Sequence, residues 1–532
     1  MVAGAEERVD FVQELAQLET EVASFRTIDK VSYQAAEIDR LESSVPVCTQ
    51  VGATLLSGTI LFGGSLMTAE NVKDRQLAVE ELAANDELRE AIRNALLGYS
   101  DGEVATEAFV AGKRPEISSG DYKDMRKGMR SLATIPAALS EKVESPLLRS
   151  KLTQLEEFNA TEAAKLMRGP IYYTPVGLRS KEDLHWYTLC ARFRPSVSGR
   201  VIALVAADTI ATRYGMLPIQ VGTVGAMVGM MGGGFTLMPD YHGRTPKDDT
   251  WSRPTVYRGV RKRLGQGETW TNGSMSIASL DVLTSLSEQR KKIEANGHRT
   301  VFPTVTDGEN GYHLRVEGIK NPLLALEAGR QIVANNIELG GDHRLTFLTG
   351  PNSGGKSTIS KAVVQNQILA HLGAPVVADH ADMTIADHIA YHVPMPPDQG
   401  EETGRFGFEL KRVRGILDLA TEKSLTVLDD CLDGTTHEER VAVLRNVMTA
   451  YRFLGGATLF STHAHELVEQ FEQQGEGQFI QVEFDNDRPT HRIIPGVSHT
   501  SHADRVAALH GFTKEQVEKA LADHGHQAPE WF

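Results

Sequence analysis

Only three cysteines stand in the 532 residues, Cys48, Cys190 and Cys431, and no two share metal-ligand spacing. That excludes a disulfide framework and a structural zinc knuckle, and it fits a reducing, cytoplasmic compartment. Positive charge is also scarce. Lys and Arg number 55 against 70 Asp and Glu, a formal net charge of −15. A chain that coats nucleic acid over its whole surface is thereby excluded, although a local basic stripe still suffices for phosphate contact. The N-terminal MVAGAEERVDF is acidic and lacks the apolar core of a signal peptide. Long unbroken apolar runs are missing as well. Residues 45–69 and 214–239 are uncharged and long enough to span a bilayer, for which roughly 20 apolar residues suffice. Both are diluted by Gly, Thr, Ser, Gln or Pro, which favours buried packing segments. A membrane span or hairpin over 214–239 is the minority alternative.

The length leaves room for two or three domains. Up to about residue 165 helical periodicity dominates. In the run from Asp74, continued from Asn85, the apolar residues Leu88, Ile92, Ala95 and Leu96 mark one face of an amphipathic helix. From about 170 to 275 the chain turns to Gly, Pro and aromatics, and no element is assigned there. Within it Arg244, Lys247, Arg253, Arg258, Arg261, Lys262 and Arg263 interleave with Trp251 and Tyr257. Such a cluster is either a phosphate-binding surface or a solvated basic loop. Helical pattern returns from Ile277 to Ala295, with Leu280, Leu283 and Leu286. An alternation of strands and helices follows almost to the end, as a parallel sheet with crossover helices requires.

Chemistry concentrates in that last part. An apolar run, Leu345 to Leu348, feeds Gly350-Pro351-Asn352-Ser353-Gly354-Gly355-Lys356-Ser357-Thr358, and a helix follows with Ile359, Val363 and Ile368 on its apolar side. The pattern G-x-x-x-x-G-K-[ST] between strand and helix lets backbone N–H groups turn inward around phosphate oxygens. Lysine then reaches the β- and γ-phosphates, and the serine hydroxyl holds Mg²⁺. A second strand, from Leu425, ends in Asp429 and Asp430. The first acid is placed for the magnesium and the next to polarise the attacking water. A third strand, from Ala457, runs into Ser461-Thr462-His463, where a histidine can sense the γ-phosphate.

GPNSGGKST, then GRFGFEL at 404–410, LDD at 428–430 with DGT at 433–435, and STHAHEL at 461–467 resemble the ATPase domain of the MutS family in order and spacing. The family habitually writes GPNMGGKST, STFMVEM, MDE…GT and THYHEL. The resemblance extends to GVSHTSHADRVAALHG at 496–511, which looks like the family's dimerising helical segment. More loosely, it extends to DRQLAVEELAANDELREAI and SLDVLTSLSEQ upstream. It implies ATP and Mg²⁺ held between two ATPase domains, each completing its partner's site, and helical cores that reach out to grip DNA. Lys356, Ser357, Asp429 and His463 carry over residue by residue.

Four departures qualify it. Asp430 stands where the family has Glu, one methylene shorter, so slow hydrolysis is expected. Gly404-Arg405 replaces the Ser-Thr ahead of the signature Phe. Either Arg405 acts in trans on the γ-phosphate charge, or it is a surface arginine near the dimer edge. Ile332 stands where the family stacks an aromatic on adenine, which implies weaker and less selective base affinity. No Phe-x-Glu wedge occurs in the chain, and no space for the mismatch-reading domain or an appended nuclease is expected.

The resulting expectation is an α/β fold: a P-loop, ABC-type ATPase domain with a parallel-rich sheet at 301–490. A mainly helical core and lever region occupies 1–300, and a C-terminal helical dimerisation segment 491–532. The implied function is an ATP-gated, homodimeric DNA clamp in repair or recombination, associated with other repair proteins and located in the cytoplasm, nucleoid or nucleus. The alternative is an ATP-switched interaction protein without direct DNA binding. A transporter-type ATPase is opposed by GRFGFEL, which replaces a Leu-Ser-Gly-Gly-type signature.

Overall fold

A computed structural model describes residues 26–110, 127, 130–132, 134–135, 143–158, 267–351, 354–394, 404–432, 435–485, 488–498 and 510–529. The uncharged stretch 214–239 and the basic cluster 244–263 lie outside the described residues.

The helical part comprises α1 (Lys30–Ala35), α2 (Ile38–Ser44), α3 (Gln50–Leu66), α4 (Ala69–Ala84), α5 (Asp86–Val110), α6 (Pro146–Phe158) and α7 (Gly267–Ala295). The amphipathic run read from Asp74 onward is two helices. Asn85 adopts extended backbone between them and its side chain accepts from Leu88 N–H, a local bond that restarts the helix. The long α7 packs against α3, α4, α5 and α6. Buried Asp281 on α7 accepts from the N–H groups of Cys48 and Thr49 and from the Thr49 hydroxyl, and Arg93 of α5 closes the cluster at 3.1 Å. The carboxylate tolerates full burial here because donors meet both of its oxygens.

The uncharged stretch at 45–69 forms α3, 17 residues long, packed between α7 and the helix that follows the glycine loop. Gly64 lets it approach so closely that a Cβ there would lie 1.9 Å from the Ala386 carbonyl oxygen. No described helix is long and apolar enough to cross a membrane.

After α7 come β1 (Thr304–Thr306), β2 (His313–Ile319), α8 (Pro322–Ala325), β3 (Asn335–Gly340), β4 (Leu345–Thr349), α9 (Lys356–Leu372), β5 (His380–Thr384) and β6 (Ile389–His392). They are followed by α10 (Gly404–Leu419), β7 (Leu425–Asp429), α11 (His437–Leu454), β8 (Ala457–Ser461), α12 (His465–Gln473), β9 (Gln478–Asp485), β10 (Arg488–Pro495) and α13 (Lys514–Asp523). The larger sheet has the order β10-β9-β4-β8-β7-β6. All its neighbours pair in parallel except β9 with β10. Strands β4, β7 and β8 are buried at every position, as a sheet covered on both faces demands.

One face carries a core continuous with the helical part, through residues such as Ile60, Leu286, Val363 and Val427. The other carries α10 to α12 around Phe347, whose ring stacks on Phe479 with centroids 5.4 Å apart. The alternation pattern did not reveal the second sheet, β1-β5-β2-β3, which is mostly antiparallel. Its paired strands are not all consecutive along the chain, so local periodicity carries no record of their direction. Strand β10 continues to Pro495, into the segment read as C-terminal helices, and no residue of α13 is buried.

Candidate functional site

In a parallel sheet the loops that leave the strand C-termini converge on one edge. Here β4 delivers the glycine loop there, β7 delivers Asp429 and Asp430, β8 delivers His463, and β6 delivers Tyr391.

The loop turns on glycines. Gly350 has φ +132° and Gly355 φ +95°, conformations that L side chains rarely adopt. Val482 of β9 packs beneath them, 3.0 Å from where a Cβ on Gly350 or Gly354 would sit. Buried Pro351 accepts from Gly354 N–H at 3.0 Å; Asn352 and Ser353 lie outside the described residues. Gly355 is the N-cap of α9, so the first N–H groups of that helix open toward the loop with no side chain across them. Ser357 and Thr358 stand exposed on its first turn.

Lys356 is 2% exposed, and its ammonium donates to the Gly350 carbonyl at 2.5 Å and to His463 Nε2 at 2.8 Å. An ammonium can only donate, so Nε2 accepts and the His463 proton sits on Nδ1. Burial, and then the charge of Lys356, draw the imidazole pKa down to about 4, so this histidine is neutral near pH 7. Burial also lowers the Lys356 pKa, with Asp430 and Asp429 opposing the shift. Asp430 lies 3.5 Å from His463 and sits on left-handed backbone at φ +49°. Asp429 is 5% exposed. Its Oδ2 accepts from the Tyr391 hydroxyl at 3.2 Å, while buried Oδ1 has no hydrogen-bond partner among the described residues. A buried lysine, two acids and a neutral histidine beside a helix N-terminus have the chemistry that suits a polyanion, and the oxygens of Asp429 Oδ1 and Ser357 are of the type a hard cation takes. Among the described residues no three His, Cys, Asp or Glu converge as a metal cage. A cation here would rely on oxygens from its anionic ligand.

Two expected residues lie apart from this cluster. Arg405, on the first turn of α10, bonds Glu409 at 2.9 Å rather than any group of the glycine loop. Ile332 packs against Ile293, Ala325 and Val377.

Three residues the sequence reading missed complete the surroundings. Tyr391 is one. Fully buried Glu409 accepts from Leu432 N–H at 2.6 Å and so holds the turn after the acids, where Leu432 itself has φ +62°. His491, at φ +61° in the irregular register of β10, donates through Nδ1 to the Gly354 carbonyl at 3.1 Å. No local signal marks His491, since only the β9–β10 pairing carries it to a loop 137 residues earlier.

Comparison with known proteins matches residues 346–526 to MutS domain V. A DNA mismatch repair protein MutS from Prochlorococcus marinus (strain MIT 9301) is 32% identical over 251 residues, 46% of this chain and 27% of its own. One from Fusobacterium nucleatum subsp. nucleatum has the same identity and coverage. The aligned part thus spans about a quarter of these relatives' length. The match takes in the strands and loops that carry the lysine, acids and histidine, so this C-terminal part of the chain is similar to domain V of the MutS family.

Proposed function

We propose that this chain is a P-loop, ABC-type ATPase that binds ATP with Mg²⁺ in the glycine loop and hydrolyses it slowly. The observation that carries the reading is Lys356, buried and clamped between the Gly350 carbonyl and His463 above two acids. A buried ammonium beside inward-facing N–H groups favours a phosphate chain. Gly350, Pro351, Asn352, Ser353, Gly354, Gly355 and Thr358 cradle the phosphates, Ser357 and Asp429 take Mg²⁺, and Asp430 orients the attacking water. His463 meets the γ-phosphate as a neutral imidazole. The shorter reach of Asp430 supports ATP binding, rather than turnover, as the main event. Ile332 gives the base an apolar rather than an aromatic neighbour.

Two chains pair through the ATPase domain, and Arg405 answers the partner's γ-phosphate once its bond to Glu409 opens. The wholly unburied α13 supports a surface that a second copy covers. The dimer acts as an ATP-gated clamp on structured or duplex DNA in repair or recombination, rather than as the first reader of mismatches. The proteins named above as relatives are mismatch repair proteins, which supports DNA as the partner. The net charge of −15 favours the competing reading, an ATP-switched interaction protein without DNA.

Equilibrium binding of a fluorescent ATP analogue to the wild type and to Lys356→Ala tests the first part. Loss of binding in the variant is expected, and equal affinity would refute the site. Gel-shift titration against duplex, mismatched and branched DNA at two salt concentrations, with and without ATP, tests the second. A salt-sensitive, nucleotide-modulated shift supports the clamp, and no shift at low salt favours the switch.

A further inference from the structure

Residues 27–37 touch three elements around the site, β6, α9 and α10. Ile28 bridges Ile389 at the edge of the larger sheet. The Ser32 hydroxyl accepts from Tyr391 N–H at 2.9 Å and donates to Asp29 at 2.7 Å. The Asp29 carboxylate in turn accepts from Arg412 of α10, 2.7 Å from each oxygen. Glu37 pairs with Lys361 of α9 at 2.6 Å, and the Ala36 carbonyl accepts from Gln365 of the same helix at 2.9 Å. Tyr391 joins this strap to the acids. It is fully buried, held by Ser32 through its backbone and bonded to Asp429 Oδ2 through its hydroxyl.

We propose that Tyr391 is a positioning residue for Asp429: by engaging Oδ2 it presents Oδ1 to the cation, and the strap at 27–37 carries the state of that carboxylate to the helical part. This rests on the ATP–Mg²⁺ reading above. A carboxylate with one oxygen held by a buried hydroxyl cannot swing freely, so its other oxygen is aimed before any metal arrives. Hydrogen bonds from outside the ligand shell tune metal affinity in this way. A cation at Oδ1 withdraws charge from the whole carboxylate and weakens Oδ2 as an acceptor, which loosens Tyr391. Its backbone is anchored on Ser32, and Ser32 on the Asp29–Arg412 pair, so the change passes into α1 and α10.

The test uses the full chain. Mg²⁺ is titrated at fixed ATP and followed by thermal stability, with hydrogen exchange of residues 27–37 measured in parallel. In Tyr391→Phe the Mg²⁺ half-point is expected to rise about tenfold, while ATP affinity in EDTA stays within about twofold. Faster exchange in 27–37 on adding ATP–Mg²⁺ is expected in the wild type and absent in the variant. Ser32→Ala, which leaves the hydroxyl contact intact, is expected to keep the wild-type half-point and lose the exchange response. A wild-type half-point together with an unchanged exchange response in Tyr391→Phe overturns the proposal and leaves the nucleotide site standing. A wild type that binds no ATP overturns both.

Discussion

Three histidines show how far burial governs single residues. Burial draws His371 down to about 3, His392 to about 4 and His463 to about 4, the last also through Lys356. Each folded-state value lies below the free imidazole value, so the native state binds fewer protons than the unfolded chain across the interval between them. Their contribution is complete above about pH 6.5 and is lost as pH falls toward 4. His371 and His392, whose rings are fully buried, each contribute on the order of 3 kcal/mol before the interior relaxes. Urea midpoints should therefore fall between pH 6.5 and 4, and His371→Gln should flatten that slope; a midpoint level down to pH 4 would contradict this account. Asp430 poses a second single-residue question. Asp430→Glu should raise ATP turnover by restoring reach. Because left-handed backbone suits Asp better than Glu, about 1 kcal/mol of stability should be lost. Single-turnover kinetics and denaturation on the same sample check both.

At the scale of elements, the turn after β7 and helix α10 are joined by one carboxylate. Glu409 satisfies Leu432 N–H inside the protein and Arg405 at its rim. Glu409→Ala leaves a buried N–H without a partner, and a loss of about 1–3 kcal/mol follows. ATP affinity should fall with it, because the turn carries the two acids; equilibrium unfolding and nucleotide titration measure both. The seat of α3 depends on shape instead. Gly64→Ala drives a methyl into the Ala386 carbonyl, so the helix must shift, with about 1–3 kcal/mol of overpacking strain visible as a lower urea midpoint.

For the molecule as a whole, the helical part and one face of the larger sheet share a core. Helical circular dichroism and a probe in the sheet should therefore report the same unfolding midpoint. ATP with Mg²⁺ at a hundredfold its Kd should stabilise the native state by about 2.7 kcal/mol, and should leave Lys356→Ala unmoved. Two separate transitions, only one of them nucleotide-dependent, would show that the shared core does not couple the parts.

Wherever chemistry demands a residue type at a fixed local spacing, the sequence alone was sufficient. Glycines and a lysine between strand and helix, acids ending one strand and a histidine after another could be read because local backbone geometry is a short-range property. Only tertiary structure decided that Lys356 touches His463, that Tyr391 holds Asp429, that His491 reaches Gly354 and that Glu409 braces Leu432. Those contacts depend on which strands become neighbours in the sheets. Strand order is settled by burying both faces at once, a condition on the whole chain that no window of residues contains.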